Sequence, residues 1–332
     1  MILASGLFDG AFYLDQYRDV AAAGVDPTDH YLQWGAAEGR RPHPFFDGDW
    51  YRRNNPDVDR SGLNPLVHYL KIGRAEGRRA HKRWAVYTAI AGWYDDLRAP
   101  VAADPSLDYI VFADDRLPEV PKPWIRCRID QDRGSPVLAA RFIKTHPHIL
   151  LPGYENSVWV DAAFQLRKMP EDSLQAAMRS APIAFFRHPE RDCAYDEAEA
   201  VSRLELDSPR HVALALEQLA AHGFPRHLGL VETGLILRRH HHEDVVKAME
   251  EWWNLIVGTS QRDQLSINLV LWKQGLRCGI LRGHSRRNPW TFWMGHRAAT
   301  LDQARRHLAR QEQELLNLQA AIENMQGIED SA

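Results

Sequence analysis

The chain has 332 residues, 45% of them hydrophobic and 26% charged, with a formal net charge of −3. That length suggests about two domains, and the balance is that of a globular protein. The slight negative charge excludes a global basic field for nucleic acid or membrane, and no apolar run is long enough to span a bilayer. The Arg40-Arg41, Arg78-Arg79 and Arg238-Arg239 pairs are too short to read as nucleic-acid tracts. Met1-Ile2-Leu3-Ala4 has no basic n-region, so a secretory signal is not expected there. Cys127, Cys193 and Cys278 lie far apart without metal-ligand spacing. Reduced thiols in the cytoplasm are the expectation.

Residues 1–82 contain a duplication. The frame Phe8-Asp9-Gly10 to Arg40 returns 38 positions later as Phe46-Asp47-Gly48 to Arg78. Both copies carry Asp-Val, His-Tyr-Leu (His30, His68) and Glu-Gly-Arg (Glu38, Glu76). A period of this size marks a stacked supersecondary unit. Each copy is expected to hold two short helices. Asp9 or Asp47 would cap the first, Pro27 or Pro65 would open the second, and Gly35 or Gly73 would stop it. His, Glu and Arg recur in both copies, which favours locking of each unit's own turns over catalysis. Arg40 and Arg78 would pair with Glu38 and Glu76, or with caps. The duplication resembles short modules attached to bacterial glycan-synthesis proteins. That resemblance implies an accessory role beside a glycosyltransferase.

From residue 83 to 297 the texture changes. Apolar runs at 84–90, 108–113, 124–129, 158–161 and 183–188 read as strands, and 136–144 reads as a helix. Short strands alternating with helices predict an α/β domain with a mainly parallel, doubly covered sheet. The second strand ends in Asp114-Asp115 and the fourth in Asp161. Neither glycine-rich phosphate fingerprint follows the first strand. A diphosphate ligand would then need a metal on carboxylates, plus Arg and Lys donors. Arg141 and Lys144 stand one helical turn apart and share a face. His240-His241-His242, before Glu243-Asp244, is expected to be a surface cluster at a helix start, with one extra metal ligand as the alternative. A helix begins at Asp263 and Gln264, with Leu265, Leu269 and Trp272 turned to the core.

Four segments fall in a telling order: Arg141-Phe142-Ile143-Lys144, Val158-Trp159-Val160-Asp161, Glu232-Thr233-Gly234, and Arg262-Asp263-Gln264 through Asn268. The set resembles GT-A glycosyltransferases, especially glycogenin-like and bacterial galactosyltransferase-like ones. More closely, residues 87 to 281 resemble a GT-A-like family first catalogued as a domain of unknown function. It occurs in plant wall-polysaccharide glycosyltransferases and in bacteria. His188-Pro189, Arg191 and Glu197-Ala198 belong to its pattern. The resemblance implies a nucleotide-sugar donor, a UDP-sugar first of all, and a glycan or glycoconjugate acceptor. It implies a divalent metal (Mn2+ or Mg2+) on Asp161, with His284 as a late ligand. It gives Asp263, Gln264 and Glu232 catalytic roles, and gives Asp114, Asp115, Arg141, Lys144, His188 and Arg191 to donor binding. One departure matters: an Asp-x-Asp motif is replaced by Asp161-Ala162-Ala163, so the second carboxylate is missing. A non-catalytic carbohydrate-binding or scaffold protein on a degenerate transferase fold is the alternative.

In residues 298–332, Leu301, Leu308, Leu315 and Ile322 recur every seven positions. Ala304, Gln311, Leu318 and Met325 fill the second seam. This pattern predicts a coiled-coil helix that pairs copies of the chain.

Overall fold

A computed structural model describes residues 1–92, 94–129 and 133–296. The heptad stripe from Leu301 to Ile322 lies outside the described residues. No described helix is long and apolar enough to cross a membrane.

Each N-terminal copy holds three helical segments rather than two. Gly10–Gln16, Arg18–Ala23 and Pro27–His30, which runs into a π turn Tyr31–Gly35, form the first. Gly48–Asn54, Pro56–Ser61, Pro65–His68 and Tyr69–Gly73 form the second. The extra break falls at Tyr17 and Asn55, both outside helical dihedrals. In the second copy Pro56 follows, and a residue before proline is pushed out of the helical region. Asp9 and Asp47 cap as expected, accepting from the amides of Phe12 and Trp50. Gly35 and Gly73 do not stop a helix through a left-handed turn. A Cβ on either would lie 2.0 Å from the hydroxyl of Tyr13 or Tyr51, so they permit a close approach. Left-handed glycines instead close the second helix of each copy, at Gly24 and Gly62, and the turn before each Arg, at Gly39 and Gly77 with φ of 73° and 70°. The repeated polar residues lock the units internally. Tyr13 bonds His30 at 3.0 Å and Tyr51 bonds His68 at 3.0 Å. Arg40 pairs with Asp19 and Glu38, and Arg78 with Asp57 and Glu76. Phe8, Tyr13, Tyr31, Phe46, Tyr51 and Leu66 share one core.

The larger domain is built on a seven-stranded sheet in the order β3-β2-β1-β4-β7-β6-β8. Its strands are β1 Trp84–Ile90, β2 Leu107–Ala113, β3 Trp124–Arg128, β4 Asn156–Val160, β6 Ile183–Arg187, β7 Val231–Arg238 and β8 Gly279–Leu281. A separate antiparallel pair joins β5 Phe164–Leu166 to β9 Thr291–Trp293. All neighbours are parallel except β7, which runs antiparallel to β4 and β6. The sheet is buried on both faces. Val86, Val158 and Leu235 point into one core, while Tyr87, Trp159 and Ile236 point into the other. This alternation follows from the period of two in strands. The second core is closed by Ile143 of helix Pro136–Thr145 and by Met249 and Trp252 of helix Glu243–Gly258.

The reversed β7 decides which residues can meet. Its first residues lie at the edge where β1, β2, β4 and β6 end, so Glu232 shares a rim with Asp161. Its last residue, Arg238, pairs with Ser157 and Ile183 near the opposite edge. His240 follows there, away from Asp161, and is not a surface residue. It is buried, its Nε2 lies 3.2 Å from the Leu151 carbonyl, and burial pushes its pKa down to about 3. His241 and His242 are exposed, and His242 directly precedes the helix. Leu265 and Leu269 reach the core, but Trp272 is 39% exposed at the end of the helix Ile267–Lys273.

A candidate active site at the rim of the sheet

The helix Pro136–Thr145 starts cleanly. Ser135 accepts from the Leu138 amide and Pro136 takes the first helical position. Its end is held more firmly. The Lys144 carbonyl, which has no further turn to bond, accepts from Arg238 Nη1 at 2.7 Å and Tyr87 Oη at 3.0 Å. A cation at a helix C-terminus is also good dipole chemistry. Arg238 and Tyr87 bond each other in the core. Burial pushes the Tyr87 phenol up and the Arg238 guanidinium down.

Fixed at its backbone, Lys144 sends a fully buried side chain between two carboxylates. Its Nζ lies 2.5 Å from Asp263 Oδ2 and 3.5 Å from Asp161 Oδ1. Arg141 Nη1 reaches the same Asp263 oxygen at 3.1 Å, and its Nε donates to the Gln261 carbonyl. Burial alone would raise the Asp263 carboxyl. Arg141, Lys144 and Arg262 overcome that and hold it well below the usual carboxylate range. The Asp263 carbonyl in turn accepts from Trp252 Nε1 at 3.0 Å. Asp161 follows β4, where its amide donates to the Gly234 carbonyl and its Oδ1 accepts from Trp159 Nε1 at 2.7 Å. Its side chain is 28% exposed, so this carboxylate is the open end of the chain of charges. Gly234 has no room for a side chain, because a Cβ there would meet the Phe164 ring at 2.8 Å.

The other expected residues line the same rim without joining this cluster. Glu232 Oε2 accepts from the Ser285 amide at 3.0 Å. Gln264 Nε2 donates to the Val231 carbonyl at 2.5 Å, and its Oε1 accepts from Thr233. Both side chains thus tie β7 to neighbouring loops. His188 Nδ1 accepts from the amides of Glu190 and Arg191, and Arg191 pairs with Glu197 at 2.5 Å. Burial pushes His188 down. Asp114 accepts from the amides of Gly92 and Arg116 and shapes the turn after β2, while Asp115 is exposed beside Arg128. His284 Nδ1 is buried with no hydrogen-bond partner. Sequence reasoning missed Trp159 and Arg238 as supports. It also missed Asp95 and His296, which bond at 2.9 Å. That bond raises His296, as does the field of Asp161. The two are 201 positions apart, so no local pattern could have linked them.

A divalent cation needs several oxygen ligands. Asp161 offers one carboxylate whose Oδ1 is already bonded by Trp159 and approached by Lys144. The position of the missing second acid is Ala163, buried, with its carbonyl accepting from the Met294 amide at 2.9 Å. Among the described residues, the group of three ligand-type side chains within 4.8 Å of one another is Cys193, Asp196 and His227, not one containing Asp161 or His284. In that group Asp196 lies 3.5 Å from Arg226, and His227 bonds Asp192 at 2.9 Å. The orphaned Nδ1 of His284 leaves one nitrogen open to a further ligand. Taken together, the rim residues do not fit a divalent ion.

Residues 137–286 match the family model TOD1/MUCI70, glycosyltransferase-like domain. This stretch is similar to that family and contains Arg141, Lys144, Asp161, Glu232, Asp263 and His284. Asp114 and Asp115 lie before it. No curated protein matches the chain in sequence. Among solved structures, the apo WbbM bifunctional glycosyltransferase is similar over 60% of this chain and 38% of its own, at 9% identity and a TM-score of 0.37. Mouse xyloside xylosyltransferase 1 gives 60% and 85%, 9% identity and 0.38. The glycosyltransferase GlyE of Streptococcus pneumoniae TIGR4 gives 61% and 45%, 10% identity and 0.33. The chain therefore spans less than half of WbbM and of GlyE.

A cavity of about 580 Å³ lies at the opposite edge of the sheet, lined by Arg83, Glu155, Asn156, Arg179 and Arg239 among others. Its lining lacks a buried chain of opposed charges like that at the rim. Volume alone does not mark chemistry, and strand carboxyl ends are where open α/β sheets bind ligands.

Proposed function

We propose that the chain is a glycosyltransferase of GT-A type. It would move a sugar from a nucleotide-sugar donor, a UDP-sugar by analogy, to a hydroxyl of a glycan or glycoconjugate. The observation that carries this reading is the Arg141–Lys144–Asp263–Asp161 chain at the rim, inside the segment similar to a glycosyltransferase-like domain. Such enzymes gain rate from positioning and from stabilising the departing diphosphate. Arg141 has donors to spare beyond Asp263 and its fork suits phosphate oxygens. Asp161, half open, is the group placed to meet donor or acceptor.

Asp263 is better read as a positioning residue than as a base. A general base works best with a pKa near the operating pH. Asp263 is buried and held low by its cations, so it is a poor proton acceptor. Its role would be to fix Lys144 and Arg141. Glu232 and Gln264 would hold the β7 edge. The N-terminal copies would be accessory, and the heptad stripe would pair chains.

Incubation with a panel of UDP-sugars, measuring UDP release with and without glycan acceptors, tests the reading. Wild type should turn over at least one donor. Asp161→Ala should lose turnover with the fold intact, since it removes a rim carboxylate and no core volume. Wild-type rates in that variant would sink the assignment. Ala162-Ala163 favours a second reading, a carbohydrate-binding scaffold. UDP-sugar binding without turnover of any donor would select it.

A further inference from the structure

A nucleoside diphosphate carries charge that its site must offset, and in an Asp-x-Asp site a divalent ion does so. Resting on the glycosyl-transfer reading, we propose that the donor diphosphate binds here without a divalent metal, met by Arg141, while the buried Lys144 offsets Asp263 and Asp161. Lys144 is not a mobile surface lysine. Its backbone carbonyl is clamped by Arg238 and Tyr87, and its Nζ sits between Asp263 at 2.5 Å and Asp161 at 3.5 Å. The side chain is fully buried and cannot swing into solvent to make way for an ion.

Within the cluster, the cations already offset the two carboxylates before any ion arrives. Asp161 and Asp263 face Lys144 and Arg141, and Arg262 adds positive field at Asp263. A divalent ion bonded to Asp161 would stand about 2 Å from its oxygen. Lys144 already lies 3.5 Å from Oδ1, so the two cations would repel each other across one carboxylate. The second ligand that would outweigh this repulsion is replaced by the buried Ala163. Arg141 is partly exposed, so it can turn unused N–H groups toward a phosphate.

Two titrations on the full chain test this. Manganese alone, followed by electron paramagnetic resonance, should show no saturable site, and Asp161→Asn should behave like wild type. UDP, followed by calorimetry, should bind in EDTA and in manganese chloride with affinities within about twofold. In EDTA, Arg141→Gln should weaken UDP about tenfold, as expected for one lost charge-assisted contact. Lys144→Met should weaken it further. If that variant does not fold, Arg141→Gln keeps the test. A manganese site lost in Asp161→Asn, or UDP binding abolished by EDTA and restored by manganese, overturns the proposal. UDP binding in neither condition refutes the donor reading above, and the manganese arm alone then decides whether Asp161 is a metal ligand.

Discussion

The two edges of the sheet each bury a carboxylate between two cations, and only one of them has the form of a site. At the N-terminal edge, Asp108, the second residue of β2, meets Arg41 at 2.8 Å, Lys82 at 3.2 Å and the Tyr154 hydroxyl at 3.0 Å. Arg41 also binds Asp47, so this knot fastens the N-terminal copies to the sheet. At the other edge, Asp263 meets Lys144 and Arg141. Both carboxyls are shifted downward after the cations overcome burial. The shift therefore does not separate clip from site. What separates them is the remaining bonding capacity. Asp108 is enclosed by partners from three segments, whereas Lys144 leads outward to a half-open Asp161.

Removing one charge from each cluster tests that distinction. Asp108→Ala leaves Arg41 and Lys82 without their shared partner and should cost about 3–5 kcal/mol, read as a lower urea midpoint. Lys144→Met leaves Asp263 with Arg141 and Asp161 partly in water, so its cost should be smaller, about 2–3 kcal/mol. An equal or reversed order would mean that the rim cluster, not the clip, carries the stability. Gly35→Ala drives a Cβ into the Tyr13 hydroxyl and disturbs the bond to His30. About 1–3 kcal/mol of overpacking strain should follow.

The acid limb of stability provides a finer comparison. Asp108 and Asp263 both have folded pKa values below their unfolded value. Their contribution is complete above the unfolded pKa, about 4, and is lost as pH falls through the folded values. Melting temperature measured from pH 6 to pH 2 should thus fall mainly below about pH 4. Asp108→Asn and Asp263→Asn should each flatten that fall, and an unchanged slope would contradict both assignments. The smallest effect belongs to the exposed Glu243–Lys247 pair, where Glu243→Ala should leave the midpoint unmoved.

The sequence made local features readable. β1 runs from Trp84 to Ile90, as its apolar texture indicates. The caps at Asp9 and Asp47 and the duplicated Arg–Glu pairs were readable because each lies within a few residues of its partner. Arg141 and Lys144 shared a face by helical spacing alone. What sequence reasoning missed depends on distant pairing. The reversal of β7 sends His240 to the wrong edge for a metal and brings Glu232 to the right one. The clamp from Arg238 to the Lys144 carbonyl spans 94 positions. Trp272 looked like core by periodicity, but a seven-residue helix ends before that face is covered.

Calorimetric titration of UDP into wild type, Arg141→Ala and Arg179→Ala tests the central claim most directly. Arg141 belongs to the rim and Arg179 lines the cavity at the opposite edge. The account predicts that wild type and Arg179→Ala bind UDP alike, while Arg141→Ala keeps a cooperative melt and binds about tenfold more weakly. Loss of binding in Arg179→Ala with full binding in Arg141→Ala would contradict it and move the nucleotide to the other edge of the sheet.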